Sequence, residues 1–398
     1  MTERELPLFV SVDDHVVEPP HLFQKWLPKK WADDPRSPRV EDRGIAKMTY
    51  LGGVRYDFQW DENAPKSSCW FYEDLIAPHK RHVAAVGFDR DDMEMAPITY
   101  SEMRPGCYDP KARLEDMDAD GVESSLCFPT FPRFAGTTFL EGEDKDLALA
   151  CVQAWNDFMI DEWCAYAPER FIPLALLPFW DPVASAKEIE RVAAKGCKAI
   201  SFTESPSNMG LPSFHTDFWD PMLAAVQDTD QVLCLHFGSG GAPVVPAEAP
   251  FATSITLFGL NTQTATADLL FSPVFYKFDR LKIAMSEGGI GWMPYILERA
   301  DYTWNRHRWY TGINTEVRPS DLFRKHIHGC FIWDEAGVAN LDLIGEDNVM
   351  WECDYPHSDS NWPKSRVMLE ERLQDVPDER CRKIAEDNAR RLFNFPRR

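Results

Sequence analysis

The 398-residue sequence contains no uninterrupted apolar run of about 18 residues, so no transmembrane helix is expected. Its 10 cysteines include no Cys-x-x-Cys pair. Cys127, Cys234, Cys330 and Cys353 lie inside apolar runs, which suits small buried thiols in a reducing compartment. Basic residues are scarce: Lys plus Arg is 42 against 64 Asp plus Glu, a formal net charge of -22. That balance argues against nucleic acid and anionic membranes as partners. The first residues, Met-Thr-Glu-Arg-Glu-Leu-Pro, lack the apolar core of a signal peptide, and the cytoplasm is the expected location. There is no internal repeat and no low-complexity tract.

Eight short apolar runs read as strands. They are Leu8–His15, Val122–Pro129, Phe171–Pro178, Cys197–Thr203, Gln231–Phe237, Leu281–Glu287, Gly329–Trp333 and Asn348–Pro356. Helical spacing fills the gaps at Leu147–Ala167, Pro182–Ala194, Asp217–Val226, Thr264–Phe275, Trp292–Trp309 and Pro377–Phe393. Asp181 before Pro182 reads as an N-cap with proline at the first helical position. Strand and helix in alternation imply a parallel sheet, and eight such units in one domain imply an α/β fold, a (β/α)8 barrel. The pattern breaks between Val16 and Asp109. This stretch reads as an insertion with a β-hairpin turning at Gly52-Gly53, and its place after the first strand makes it a lid over the active-site face.

Four residues at the ends of these runs form a candidate metal site: Asp13, His15, His236 and Asp354. Asp13 and His15 are two apart and share one face of an extended strand. Carboxylate and imidazole groups converging from strand ends are what a divalent metal needs to activate water or polarise a substrate. Plainer roles exist for each: Asp13-Asp14 as a cap, His236 as a core histidine, Asp354 as a turn initiator. Their joint placement weighs against all three.

With Val12-Asp13-Asp14-His15, Leu235-His236-Phe237, Ser286-Glu287-Gly288-Gly289 and Cys353-Asp354-Tyr355-Pro356 in that order, the chain resembles the amidohydrolase superfamily. The branch it resembles includes aminocarboxymuconate-semialdehyde decarboxylase and γ-resorcylate decarboxylase. The resemblance covers most of the chain outside Val16–Asp109. It implies two metal ligands from the first strand, as His-x-His or Glu-x-His, a His from the fifth and an Asp from the eighth. Here these are Asp13, His15, His236 and Asp354. A histidine usually ends the sixth strand, and Glu287 stands there, as a turn cap or as a ligand or acid/base group. The fourth strand ends Phe202-Thr203-Glu204, without the lysine that bridges two metals in some members. Glu204 and Glu287 leave room for a carboxylate-rich second metal site.

The expected cofactor is one divalent metal, zinc first, with manganese or iron also accepted by such ligands and a second metal site open. Asp354, Glu287 and His357 are the candidate catalytic groups, and His215 and Glu204 the candidate substrate contacts. His326 and His328 are placed at the barrel bottom, before the seventh strand. His79, His82 and His307 take no role, and Trp292, Trp304 and Trp309 read as helix packing. The expected reaction on a small-molecule substrate is hydrolysis or non-oxidative decarboxylation. Two rival classes stay open: an iron or manganese oxygenase, and a metal-holding subunit paired with an active homologue. The branch implies a homodimer or homotetramer, with a hetero-oligomer as the counterpart of the second rival.

Overall fold

The computed structural model describes residues 8–51, 56–246 and 248–397. Strand β1 (Phe9–Val16) is buried along its whole length. β2 (Arg39–Tyr50), β3 (Tyr56–Trp60), β4 (Lys66–Tyr72) and β5 (Leu75–Pro78) follow as an antiparallel sheet in the order β3-β2-β4-β5. β6 (Val122–Pro129) then pairs in parallel with β1. The remaining strands are β7 (Phe171–Ile172), β8 (Leu174–Ala175), β9 (Ala199–Thr203), β10 (Val232–His236), β11 (Lys282–Ser286), β12 (Ile327–Phe331) and β13 (Val349–Trp351). They continue the parallel order as β1-β6-β7 and β8-β9-β10-β11-β12-β13.

These strands are continuous apolar runs rather than alternating ones because both of their faces are covered. β10, Val-Leu-Cys-Leu-His, is buried at every position. The third expected strand is split at Pro173. Proline has no N–H to give to a neighbour, while its carbonyl accepts from Lys198 N and Ala199 N at 3.0 and 3.1 Å. β7 therefore pairs with β6, and β8 with β9. Just past β13 the chain bonds to β1: His15 N donates to Tyr355 O at 2.6 Å, and Asp354 N to Asp13 O at 2.9 Å.

The helices largely fall where their spacing places them. Pro182–Ala194 forms one helix, and Asp181 caps it by accepting from Val183 N and Ala184 N at 2.9 and 3.0 Å. Three expectations shift. β12 starts at Ile327, so His328 lies within it rather than before it. The expected helix from Thr264 begins earlier, at Phe258, and breaks after Phe271 ahead of Pro273. Trp309 is not helix packing: it is 70% exposed and faces the Arg308 guanidinium at 4.4 Å. All ten cysteines are buried.

Within residues 16–109 β2 and β3 pair antiparallel, while the expected turn at Gly52-Gly53 lies outside the described residues. Residues 16–109 touch the segments that follow β10 and β13. Ala85 N donates to Pro356 O at 2.7 Å, Ser358 N to His82 O at 2.9 Å, and Tyr50 and Ser254 share a hydroxyl hydrogen bond of 2.9 Å.

Candidate metal centre

Asp13 and His15 project from β1, His236 ends β10, and Asp354 follows β13 by three residues. The structure brings all four together. His15 Nε2 lies 3.5 Å from Asp13 Oδ1 and 3.1 Å from Asp354 Oδ1, and His236 Nε2 lies 3.4 Å from Asp13 Oδ1. None of the four is more than 1% exposed. Both oxygens of Asp13, both of Asp354, both ring nitrogens of His15 and Nε2 of His236 make no well-aligned hydrogen bond, although His15 and His357 approach Asp354 Oδ1 closely. Buried polar atoms are nearly always satisfied, so these orphaned oxygen and nitrogen donors, gathered in two triads that share His15 (Asp13, His15, His236 and His15, Asp354, His357), fit a divalent cation.

The imidazoles are prepared for that role. His236 Nδ1 donates to the carbonyl of Phe237 at 2.7 Å, which leaves Nε2 as the free lone pair. Phe134 stacks on the His236 ring at 3.9 Å and fixes its plane. Burial draws the pKa of His236 down to about 4. Burial, with the neighbouring His357, also holds His15 well below the usual imidazole range. Neutral imidazole is the form that binds metal. Burial pushes Asp13 upward, with the charge of Asp354 next. For Asp354 burial also works upward, but His357 and then His15 outweigh it and hold the carboxyl low.

Glu287 and His357 join the same cluster. Glu287 Oε2 is 3.5 Å from His236 Nε2, and His357 Nδ1 is 3.0 Å from Asp354 Oδ1. The His357 and His15 rings stack at 3.7 Å. Glu287 and Asp354 are both left-handed, with φ of 54° and 57°. Such a backbone is costly for a non-glycine residue and concentrates at functional sites. Above the centre opens a cavity with Asp354, His357 and Glu287 on its lining and Phe134, Phe237, Phe251 and Phe258 as apolar wall.

Two expected substrate contacts are not in this cavity. His215 is exposed and bonded to Asp268 at 2.7 Å, so the loop after β9 turns it to the surface. Glu204 is buried, but its carboxylate accepts from Gly238 N and Gly240 N at 3.0 and 2.8 Å and from Asn261 Nδ2 at 3.3 Å. It holds the loop behind His236 instead of facing a ligand. His326 and His328 are buried away from the centre; His326 Nδ1 donates to Leu281 O at 2.8 Å.

Three residues escaped the sequence reading. Asp14 accepts from Ser11 Oγ at 3.0 Å, Tyr355 N at 3.1 Å and the Ser125 hydroxyl, tying β1 to β6 and to the chain after β13. Burial raises its pKa to about 7. Arg113, fully buried, donates to the carbonyl of His15 at 2.6 Å. Glu352 accepts from Glu287 N. Its spacing of two from Asp354 was the available signal, since that spacing shares a strand face.

The chain is 25% identical over 306 residues to a γ-resorcylate decarboxylase of Rhizobium radiobacter, covering 71% of this chain and 86% of that protein. It is 24% identical over 262 residues to the 2-amino-3-carboxymuconate-6-semialdehyde decarboxylase of Dictyostelium discoideum, covering 65% and 69%. In structure it resembles an amidohydrolase from Mycobacterium avium subsp. paratuberculosis K-10, with TM-score 0.68, 19% identity and coverage of 97% and 99%. It also resembles a dihydroxybenzoic acid decarboxylase from Polaromonas sp. JS666 bearing manganese and the inhibitor 2-nitroresorcinol. There the TM-score is 0.60, the identity 22% and the coverage 79% and 93%. The amidohydrolase family profile matches residues 56–395, and the chain belongs to that family.

Proposed function

We propose that this protein is a metal-dependent, non-oxidative decarboxylase of a small aromatic carboxylate, built on a closed (β/α)8 barrel with residues 16–109 as a lid. The observation that carries the proposal is the set of unpartnered buried donors on Asp13, His15, His236 and Asp354 beneath an aromatic-walled cavity. The decarboxylases among its relatives support the same reaction class. The hydrogen bonds between residues 13–15 and 354–355 support closure of the barrel. Tyr56, Lys80 and His82 in the cavity wall support the lid.

Asp13, His15, His236 and Asp354 would hold the cation, which supplies positive charge against the substrate carboxylate or a neighbouring phenol oxygen. Manganese is the first ion to test because the Polaromonas neighbour holds it; zinc and iron suit the same donors. The residues themselves bind, orient and protonate. Phe134, Phe237, Phe251 and Phe258 receive the ring and exclude water. Loss of CO2 breaks the carbon–carbon bond and leaves its electron pair on the ring carbon, which must gain a proton. Asp354 Oδ1 and His357 Nδ1, 3.0 Å apart, form the pair through which that proton passes. Glu287 lines the same cavity as a second acid/base group. The reading carries a dimer or tetramer, measurable by light scattering. Among the described residues no helix is long and apolar enough to cross a membrane.

Glu287 also favours a second reading, oxygen chemistry at iron or manganese, because it adds a third carboxylate beside His236. The discriminating experiment incubates the manganese-loaded protein with hydroxybenzoates labelled in the carboxylate while oxygen is monitored. Labelled CO2 without oxygen uptake supports decarboxylation. Oxygen uptake with a hydroxylated product supports the second reading and refutes the first.

A further inference from the structure

Lys80 lines the same cavity as Asp354, Glu287 and His357. It comes from the insertion, immediately before the turn Arg81–Val83. Its ammonium lies 4.8 Å from the ring centre of Tyr56. The chain has 64 acidic residues, yet among the described residues none forms an ion pair with Lys80. Burial pulls Lys80 down to about 8, and the charge acting beside it is the like charge of Arg133. Close by, the His82 ring stacks on Tyr56 at 5.9 Å, and its buried Nδ1 has no hydrogen-bond partner. Phe134, Phe237, Phe251 and Phe258 form the apolar part of the wall with Val83 and Ile255, and Asp359 lines the cavity beside Asp354 and Glu287.

A cation in an apolar wall without a counter-charge is unfavourable unless something anionic enters with the ligand. The acidic floor and its cation account for one end of a substrate; Lys80 and His82 are left over. We propose that Lys80, with His82 Nδ1 beside it, binds a second acidic group on the aromatic substrate, a carboxylate or ionised phenol distinct from the carboxylate that is lost. This rests on the decarboxylase reading and narrows it to rings carrying two anionic groups. Lys80 is thus a specificity residue contributed by the insertion. Its place in the sequence explains why it was invisible there: no periodicity marks a single lysine in an irregular segment.

The test compares binding of benzoate and isophthalate to the manganese-loaded full chain by calorimetry, in wild type and in Lys80→Met, which keeps the apolar stem. A charge-assisted contact predicts that isophthalate binds wild type at least about tenfold more tightly than benzoate. Lys80→Met should erase that advantage and leave benzoate unchanged, and Lys80→Arg should restore part of it. Equal affinities in wild type, an advantage that survives in Lys80→Met, or no binding of either acid would overturn the inference. The two readings fail separately. Lys80-dependent isophthalate binding in a protein that releases no CO2 from any aromatic acid leaves the role of Lys80 standing and sinks decarboxylation. CO2 release with KM and kcat unchanged in Lys80→Met does the reverse.

Discussion

Glu352 Oε2 accepts the backbone N–H of Glu287 at 3.1 Å, so a buried carboxylate after β13 holds the left-handed residue that follows β11. The Cys330 thiol donates to the same oxygen. Among the described residues no hydrogen bond joins Glu352 to a candidate ligand side chain, but it sets where the Glu287 carboxyl points. Glu352→Ala should lower turnover by about 10- to 100-fold, the range for losing a group that orients a metal-site residue. Glu352→Gln keeps an acceptor oxygen and should recover most of it. Equal losses in both variants would mean that the charge of Glu352, not its hydrogen bond, matters.

Glu287 itself faces the cavity beside His236. Glu287→Gln should reduce turnover by at least about 100-fold, as expected for a general acid/base group or ligand, with the melting temperature little changed. Near-full turnover with full metal content would reduce Glu287 to a turn cap.

His326 gives the fold a defined acid sensitivity. It is buried, stacked on Phe275 at 4.4 Å and bonded to Leu281 O, and burial lowers its pKa from 6.5 to about 4. The unfolded chain takes up this proton near pH 6.5, and the folded chain does so only near 4. Its contribution, on the order of 3 kcal/mol, is therefore present above pH 6.5 and is lost as pH falls toward 4. His326→Asn, whose amide replaces Nδ1–H, should flatten stability against pH in that window by about 1.4 kcal/mol per unit. Urea unfolding at pH 7 and pH 5 measures this. Parallel curves for variant and wild type would refute it.

The Asp181 cap offers a local test. Asp181→Ala removes the acceptor of two N–H groups at the start of helix Pro182–Ala194 and should cost about 1 kcal/mol. A chemical denaturation midpoint identical to wild type would show that solvent serves those groups as well.

That helix was readable at both ends because its signals are local: Asp-Pro at one end and apolar spacing within. The clustering of Asp13, His15, His236 and Asp354 was readable because each lies at the end of an apolar run, although β1 and Asp354 lie more than 300 residues apart in the chain. What failed depended on partners from distant segments. Asp268 captures His215, and the amides of Gly238 and Gly240 capture Glu204, and neither pairing leaves a mark in spacing. Pro173 was visible and should have divided the third strand, since proline cannot donate to a neighbour. Lys80 and His82 sit in a segment whose sheet is antiparallel and only partly buried, where pattern carries little information.

The most direct test of the metal centre is metal content by mass spectrometry after manganese loading and gel filtration, for wild type, His15→Ala and His236→Ala. Near-ultraviolet circular dichroism checks that each remains folded. One ion held by two histidines and two carboxylates predicts about one equivalent in wild type and a small fraction of that in each folded variant. Wild-type stoichiometry retained in a folded His236→Ala protein would contradict the account at its centre.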